Sequence, residues 1–201
     1  MIIRILLWIK HALPDLWRMI EVVNGKIFYI FYGKLLGSIQ KSVFKKHSDS
    51  QYVFRPLKRN DIEQLSRFLN KQSKDQKKFF NPHSFTISAL ERLWKNRSFF
   101  MMGVFFNDQI IGYFFLRFFI NKKCFIGRIV DTDFQRKGIA NTMSKIMYDI
   151  AWSMSFRCLT TISGENQAIV DLHKGENSFH VLKELPNNYL FVEIMPPEPS
   201  K

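Results

Sequence analysis

Cysteine and acidic residues are what this sequence has little of. Its two cysteines, Cys124 and Cys158, stand in apolar surroundings without CxxC spacing. That excludes a disulfide framework and predicts buried, reduced thiols in a cytoplasmic protein. The five histidines show no metal-ligand spacing, so no metal is expected. Asp and Glu number 17 against 30 Lys and Arg, for a formal net charge of +13. Such an excess implies an anionic partner: a phosphate-rich ligand, an acidic lipid surface or nucleic acid. The basic residues are dispersed and often sit beside apolar ones, with no nucleic-acid reading motif, so nucleic acid is not the expected partner. No cleavable signal is visible, because the opening MIIRILLWIK is broken by Arg4 and Lys10 and no small-residue cleavage site follows. The most apolar stretch, residues 99–120, carries Asn107-Asp108-Gln109 at its middle and Arg117 beyond. A turn tripeptide between two strand-length runs predicts a β-hairpin rather than a membrane span. Repeats and low-complexity tracts are absent, and the closing PPEPSK, residues 196–201, reads as a loose tail.

What is present is a core. Apolar residues make up 46% of the chain and charged ones 23%, with 21 phenylalanines, enough for one domain and an appendage. Residues 1–46 form that appendage, with eight Lys or Arg against two Asp or Glu. Ile5, Leu6, Ile9, Leu13, Leu16, Trp17 and Ile20 recur near helical spacing. Pro14 predicts a break between short helices, and Asn24-Gly25 a turn. Each apolar piece is too short to cross a bilayer. Basic, amphipathic and Trp-bearing, the segment is expected to lie on an anionic membrane surface, peripheral on the inner face. The alternative is packing on the following domain or on a second copy in a homodimer.

Residues 47–51 read as a polar linker, and residues 52–195 as the domain. Its predicted elements begin with a strand at YVFRPL, followed by a helix capped by Asn60 with Glu63 three residues on. A loop containing Pro82 leads to a helix with Ile87, Leu90 and Trp94 on one face. The hairpin comes next, then a strand at 124–131. A helix opens near Gly138, with Ile139, Met143, Ile146, Ile150 and Met154 as its core stripe. A strand at 157–163, a short helix at 166–174 and two terminal strands complete a mixed α/β fold.

Between that strand and that helix lies DFQRKGIAN, residues 133–141. A basic turn with small residues at a helix start suits an anion, since the first backbone N–H groups are unpaired and the helix dipole favours negative charge. Small side chains also let the backbone approach a phosphate closely.

VDTDFQRKGIA resembles the pyrophosphate-binding signature of the GNAT acetyltransferase superfamily, Gln/Arg-x-x-Gly-x-Gly/Ala, with Gln135, Gly138 and Ala140 at its fixed positions. Val130 matches the Val that precedes the signature. MGVFFNDQIIGYFFL looks like the hairpin leading into that strand, and ENQAIVDLHK like the downstream segment opening with a cofactor-contacting Asn, here Asn166. The resemblance spans about residues 52–195 in element order and is silent on residues 1–46. It implies a mixed twisted sheet with two splayed parallel strands that receive acetyl-coenzyme A. Val130 would bond the pantetheine arm through its backbone. Gln135, Arg136, Lys137, Gly138, Ile139 and Ala140 would cradle the phosphates, and backbone N–H groups near Ile129 and Val130 would polarise the thioester.

Acetyl transfer to an amine needs a neutral amine, a polarised carbonyl and a protonated leaving thiolate. Many relatives supply the last proton from a Tyr seven residues after the Asn; this chain has His173 there. The following GENSF also carries two residues more than the family pattern. The strand lacks the Glu that serves some relatives as base, although Asp131 and Asp133 are near. His83 in FFNPHSF is the better candidate, since imidazole titrates near neutrality. Phe79, Phe80 and Phe85 around it could pack on a sugar ring, and the short motif looks similar to ones in GNAT enzymes that acetylate amino sugars for surface polysaccharides. The expected function is transfer of acetyl from acetyl-CoA to a small-molecule amine, a nucleotide- or lipid-linked amino sugar above others. The alternatives are a protein or peptide amine, or a noncatalytic membrane- or nucleic-acid-binding protein on the same scaffold.

Overall fold

The computed structural model describes residues 14–164 and 179–196. The expected short helix at 166–174, with Asn166 and His173, lies outside the described residues.

The first element corrects the sequence reading. Helix α1 runs unbroken over Pro14–Lys46, with Asn24-Gly25 inside it rather than at a turn. The pair is helical because it is where α1 touches the sheet. Asn24 Nδ2 donates to Ser98 Oγ at 2.9 Å and to the Phe118 carbonyl at 3.0 Å, and its Oδ1 accepts the Ile120 amide at 3.2 Å. A Cβ on Gly25 would meet Asn96 Oδ1 at 2.5 Å, so any larger residue must displace the Asn96 side chain from this close approach. Further along, Phe28 is fully buried, stacked on Phe118 with ring centroids 4.7 Å apart. Leu36 and Val43 continue the buried stripe. At the C-terminal end, Lys46 Nζ and His47 Nε2 each lie 2.8 Å from Asp149 Oδ2.

After strand β1 (Val53–Pro56), a single 3₁₀ turn (Arg59–Asp61) leads into α2 (Ile62–Lys71). The expected Asn60–Glu63 capping box is replaced by Asp61, which accepts the Lys58 amide at 2.6 Å and pairs with both guanidinium nitrogens of Arg55. The supposed loop before Pro82 contains α3 (Lys74–Phe79), capped by Ser73. Helix α4 (Ile87–Lys95) buries Ala89 and Leu90, whereas Ile87 and Trp94 are exposed. Trp94 instead uses its indole N–H on the Leu57 carbonyl at 3.0 Å.

The hairpin is as expected. β2 (Phe99–Phe106) and β3 (Gln109–Phe118) meet at Asn107 and Asp108, both at positive φ, the pattern of a two-residue hairpin turn that follows strand twist. β4 (Lys123–Val130), α5 (Ile139–Ser153), β5 (Arg157–Ser163), β6 (Phe179–Leu185) and β7 (Tyr189–Ile194) follow. All five residues of the stripe on and just beyond α5 are buried. Cys124 and Cys158 are buried free thiols on neighbouring strands, and desolvation pushes both well above ordinary thiol values.

The seven strands lie in the order β1-β2-β3-β4-β5-β7-β6. Helices α1 and α5 cover one face, and α2 and α4 the other. β4 and β5 form the parallel pair, joined through Lys123–Arg157, Cys124–Cys158 and Phe125–Leu159 alone before they diverge.

Candidate active site

The site grows out of that divergence. Past Phe125, β4 loses its neighbour while still held by β3, through Gly112–Val130 at the far end. Its terminus is then fixed by local bonds. Asp131 Oδ1 accepts the Asp133 amide at 3.1 Å, capping the 3₁₀ turn Thr132–Phe134. Arg136 (φ 60°) and Gly138 (φ 78°) bend the chain into α5. Holding Arg136 left-handed costs on the order of 1 kcal/mol, and glycine at 138 avoids a second such cost. A Cβ placed on Gly138 meets nothing within 4 Å, so the space before the helix start is open. Gln135, Arg136, Lys137 and Gly138 are exposed, while Ile139 is buried and anchors the first turn. The leading amides of α5 have no intrahelical acceptor and face this open, positively charged space, a fit for a pyrophosphate. Ile129, Val130 and residues 135–140 thus come together on one strand end and one turn.

The divergent strands enclose a cleft of about 520 Å³. β4 offers it Phe125 to Arg128, β5 Thr160 to Ile162, and α5 Met147 and Tyr148; residues 78–82 cover the mouth. Gly127 is tightly placed, since a Cβ there would lie 2.6 Å from the Phe115 ring. Gln76 of α3 donates to the Val130 carbonyl at 2.9 Å and accepts from Thr132 Oγ1 at 3.2 Å, tying the covering segment to the turn. Tyr189 donates to the Lys78 carbonyl at 3.2 Å and closes the other side. Arg117 lines the rim and bonds Glu21 of α1. Arg128 is half-buried on the wall beside Tyr148; burial lowers its guanidinium from the ordinary value and the phenol opposes that shift.

His83 stands just behind the covering segment, ringed by Phe85, Phe99, Tyr113 and Phe115 with centroids 5.8 to 6.0 Å away. Its Nδ1 lies 3.0 Å from the Ser84 carbonyl and its Nε2 3.1 Å from Tyr113 Oη. The carbonyl can only accept, so Nδ1 carries the proton and Nε2 accepts from the phenol. Burial pushes the imidazole down, with the Ser84 bond opposing and the Arg117 charge adding to the shift. With both nitrogens engaged, uptake of a substrate proton requires exchange of one of those bonds. Phe85, Phe99 and Phe115 share this aromatic cluster with Phe80, whereas Phe79 is exposed.

Asp131 and Asp133 are not in this cleft. They line a separate hollow of about 540 Å³ between α2 and the hairpin, where Lys71 approaches Asp131 at 3.9 Å. Gln76, Arg117, Arg128 and Tyr148 escaped the sequence reading. Arg117 and Arg128 are each visible as a charge within a largely apolar strand, but nothing in either strand says that it faces a cleft.

The sequence model of the Acetyltransferase (GNAT) family matches residues 65–175, more than half of the chain. No curated protein matches the sequence. Among solved structures, a GNAT-family acetyltransferase from Streptococcus pneumoniae is similar with a TM-score of 0.58 at 15% identity, covering 72% of this chain and 100% of that one. The PaiA N-acetyltransferase from Thermoplasma acidophilum, solved with coenzyme A, gives 0.57 at 16%, covering 71% and 97%. Spermidine N-acetyltransferase from Vibrio cholerae, solved with CoA and spermine, gives 0.56 at 19%, covering 73% and 94%.

Proposed function

We propose, for a chain that belongs to the acetyltransferase (GNAT) family and so uses acetyl-CoA as acyl donor, that the acceptor is the primary amine of a small molecule, a nucleotide- or lipid-linked amino sugar. The observation that carries acetyl transfer is the opening of β4 from β5 directly into the positive-φ turn at Gly138. A thioester arm and a pyrophosphate require that continuity of slot and anion site. What supports a sugar is the wall of the cleft, where Phe79, Phe119 and Phe125 keep apolar ring surface exposed beside the polar Asn81. Aromatic faces of this kind pack on the C–H face of a pyranose, while an amide side chain bonds its hydroxyls.

In this reading, backbone amides near Ile129 and Val130 polarise the carbonyl. His83, neutral at pH 7 because burial depresses its pKa, takes the proton of the ammonium, and His173 returns a proton to the thiolate. Positioned groups of this kind each contribute about 10²- to 10⁴-fold. The test is release of free thiol from acetyl-CoA across a panel of nucleotide-linked amino sugars, polyamines and peptide amines. Turnover of a peptide amine alone would replace the amino-sugar reading with a protein acetyltransferase.

The same reading gives α1 a location. Its outward side exposes Met19, Val23, Ile30 and Phe31 beside Lys26, Lys34 and Lys41, a composition suited to an anionic bilayer surface. No described helix is long and apolar enough to cross a membrane. A peripheral enzyme of this kind would meet lipid-linked acceptors at the surface where they reside.

A further inference from the structure

The charges in the cleft are one-sided. Lys78, Arg117 and Arg128 line it, and among the described residues no Asp or Glu does. Arg117 spends part of its charge on Glu21. Arg128 makes no ion pair with any described carboxylate; the group beside it is the Tyr148 phenol. Its position is fixed by strand geometry. Ile126 and Val130 belong to the core under α5, and Arg128, between them in the period-two alternation of β4, shares their face. It does so at the level where β5 has moved away, so the side chain lines the slot instead of a packed core.

A guanidinium withdrawn from water with a phenol and no carboxylate beside it is costly, and a bidentate oxyanion would offset that cost. The same field excludes a polycation. Polyamines carry several ammonium groups, and a cleft lined by Arg128 with no described carboxylate on its wall would repel them. Resting on the acetyl-transfer reading above, we propose that the amine acceptor bears an oxyanion, a phosphate or a carboxylate, which Arg128 binds in the wedge between β4 and β5, with Arg117 and Lys78 at the rim. The five-donor fork of arginine matches either oxyanion in a bidentate manner. The amine itself must be uncharged to react, which the cationic wall also favours by lowering its pKa.

The experiment compares matched acceptors on the full chain at fixed acetyl-CoA: glucosamine, glucosamine 6-phosphate, glutamate and spermidine. The expected result is a kcat/KM for a phosphate- or carboxylate-bearing amine about 10- to 100-fold above glucosamine, the range of one charge-assisted hydrogen-bonded pair, with spermidine poorest. The phosphate and carboxylate arms tell which oxyanion is used. Arg128→Gln should erase that preference mainly through the acceptor's KM, and Arg128→Lys should restore part of it. Equal use of glucosamine, preference for spermidine, or an Arg128→Gln loss shared by every acceptor would overturn the proposal while leaving acetyl transfer intact. If no amine is turned over, acetyl transfer to these acceptors fails as a reading. Calorimetry of glucosamine 6-phosphate and glutamate on the CoA-loaded protein then decides the oxyanion site alone: binding lost in Arg128→Gln supports it, and no binding in the parent chain refutes it.

Discussion

The phenol of Tyr113 donates to Nε2 of His83 across 3.1 Å, and Tyr113 is itself fully buried. Protonating His83 would set a second donor against that hydroxyl inside an aromatic box. Burial, with the Arg117 charge adding to it, holds folded His83 below its ordinary 6.5. Because the unfolded chain binds the proton more readily, this contribution to stability is complete above the unfolded pKa and is lost as pH falls below it. Urea denaturation midpoints should be flat from pH 7 to 8 and decline below about pH 6.5, and His83→Gln should remove part of that decline. A rate that depends on His83 as base should persist down to the same depressed pKa. If NMR finds the ring titrating at or above its ordinary value, His83 is not buried in the aromatic cluster as described.

Gly138 offers a second test because fold and binding separate there. Its φ of 78° strains any side chain, but a Cβ meets no neighbour. Gly138→Ala should cost about 1 kcal/mol of stability and weaken acetyl-CoA modestly. Gly138→Glu should leave a folded protein with no measurable acetyl-CoA binding, since the carboxylate enters the space reserved for phosphate. A folded Gly138→Glu protein with parental affinity by calorimetry would remove the turn from the site.

Much of this was legible in the residues themselves. The hairpin turn at Asn107-Asp108, the buried stripe from Ile139 to Met154 and the basic turn that opens into α5 follow from local periodicity and small-residue placement, which neighbours in sequence determine. Asn24-Gly25 misled because its local preference is a turn, whereas its partners, Ser98, Phe118 and Ile120, are distant in sequence. Tertiary contact overrides propensity in such a pair. Arg128 was overlooked for the opposite reason: its meaning depends on β5 departing at Leu159, which no pattern in β4 records. Gln76 lay in a segment read as loop, so its bond to Val130 had no sequence signature.

The core role of α1 leads to a stability prediction. Phe28 is fully buried between Phe118 and Phe156, so Phe28→Ala should cost about 3–5 kcal/mol. Gly25→Val should cost about 1–3 kcal/mol by forcing α1 away from Asn96. Both values are readable from urea midpoints. A loss under 1 kcal/mol for Phe28→Ala would mean that α1 separates from the sheet in solution.

That integration also decides how the outer side of α1 must be tested. Removing residues 1–46 would uncover Phe118 and Phe156, so a truncated protein could bind vesicles through its exposed core. Point changes avoid this. Ile30 and Phe31 are 75% and 72% exposed, and Ile30→Glu with Phe31→Glu should leave denaturation midpoints unchanged. Each lysine held near anionic headgroups contributes about 1 kcal/mol, and screening by salt weakens that attraction. The parent chain should therefore float with phosphatidylserine-containing vesicles at low ionic strength, and much less at high salt or with neutral lipid. The double variant should stay behind. Flotation by both proteins would place binding elsewhere on the basic surface. Flotation by neither, together with a parent-only dimer in sedimentation, would assign this side of α1 to a second copy of the chain.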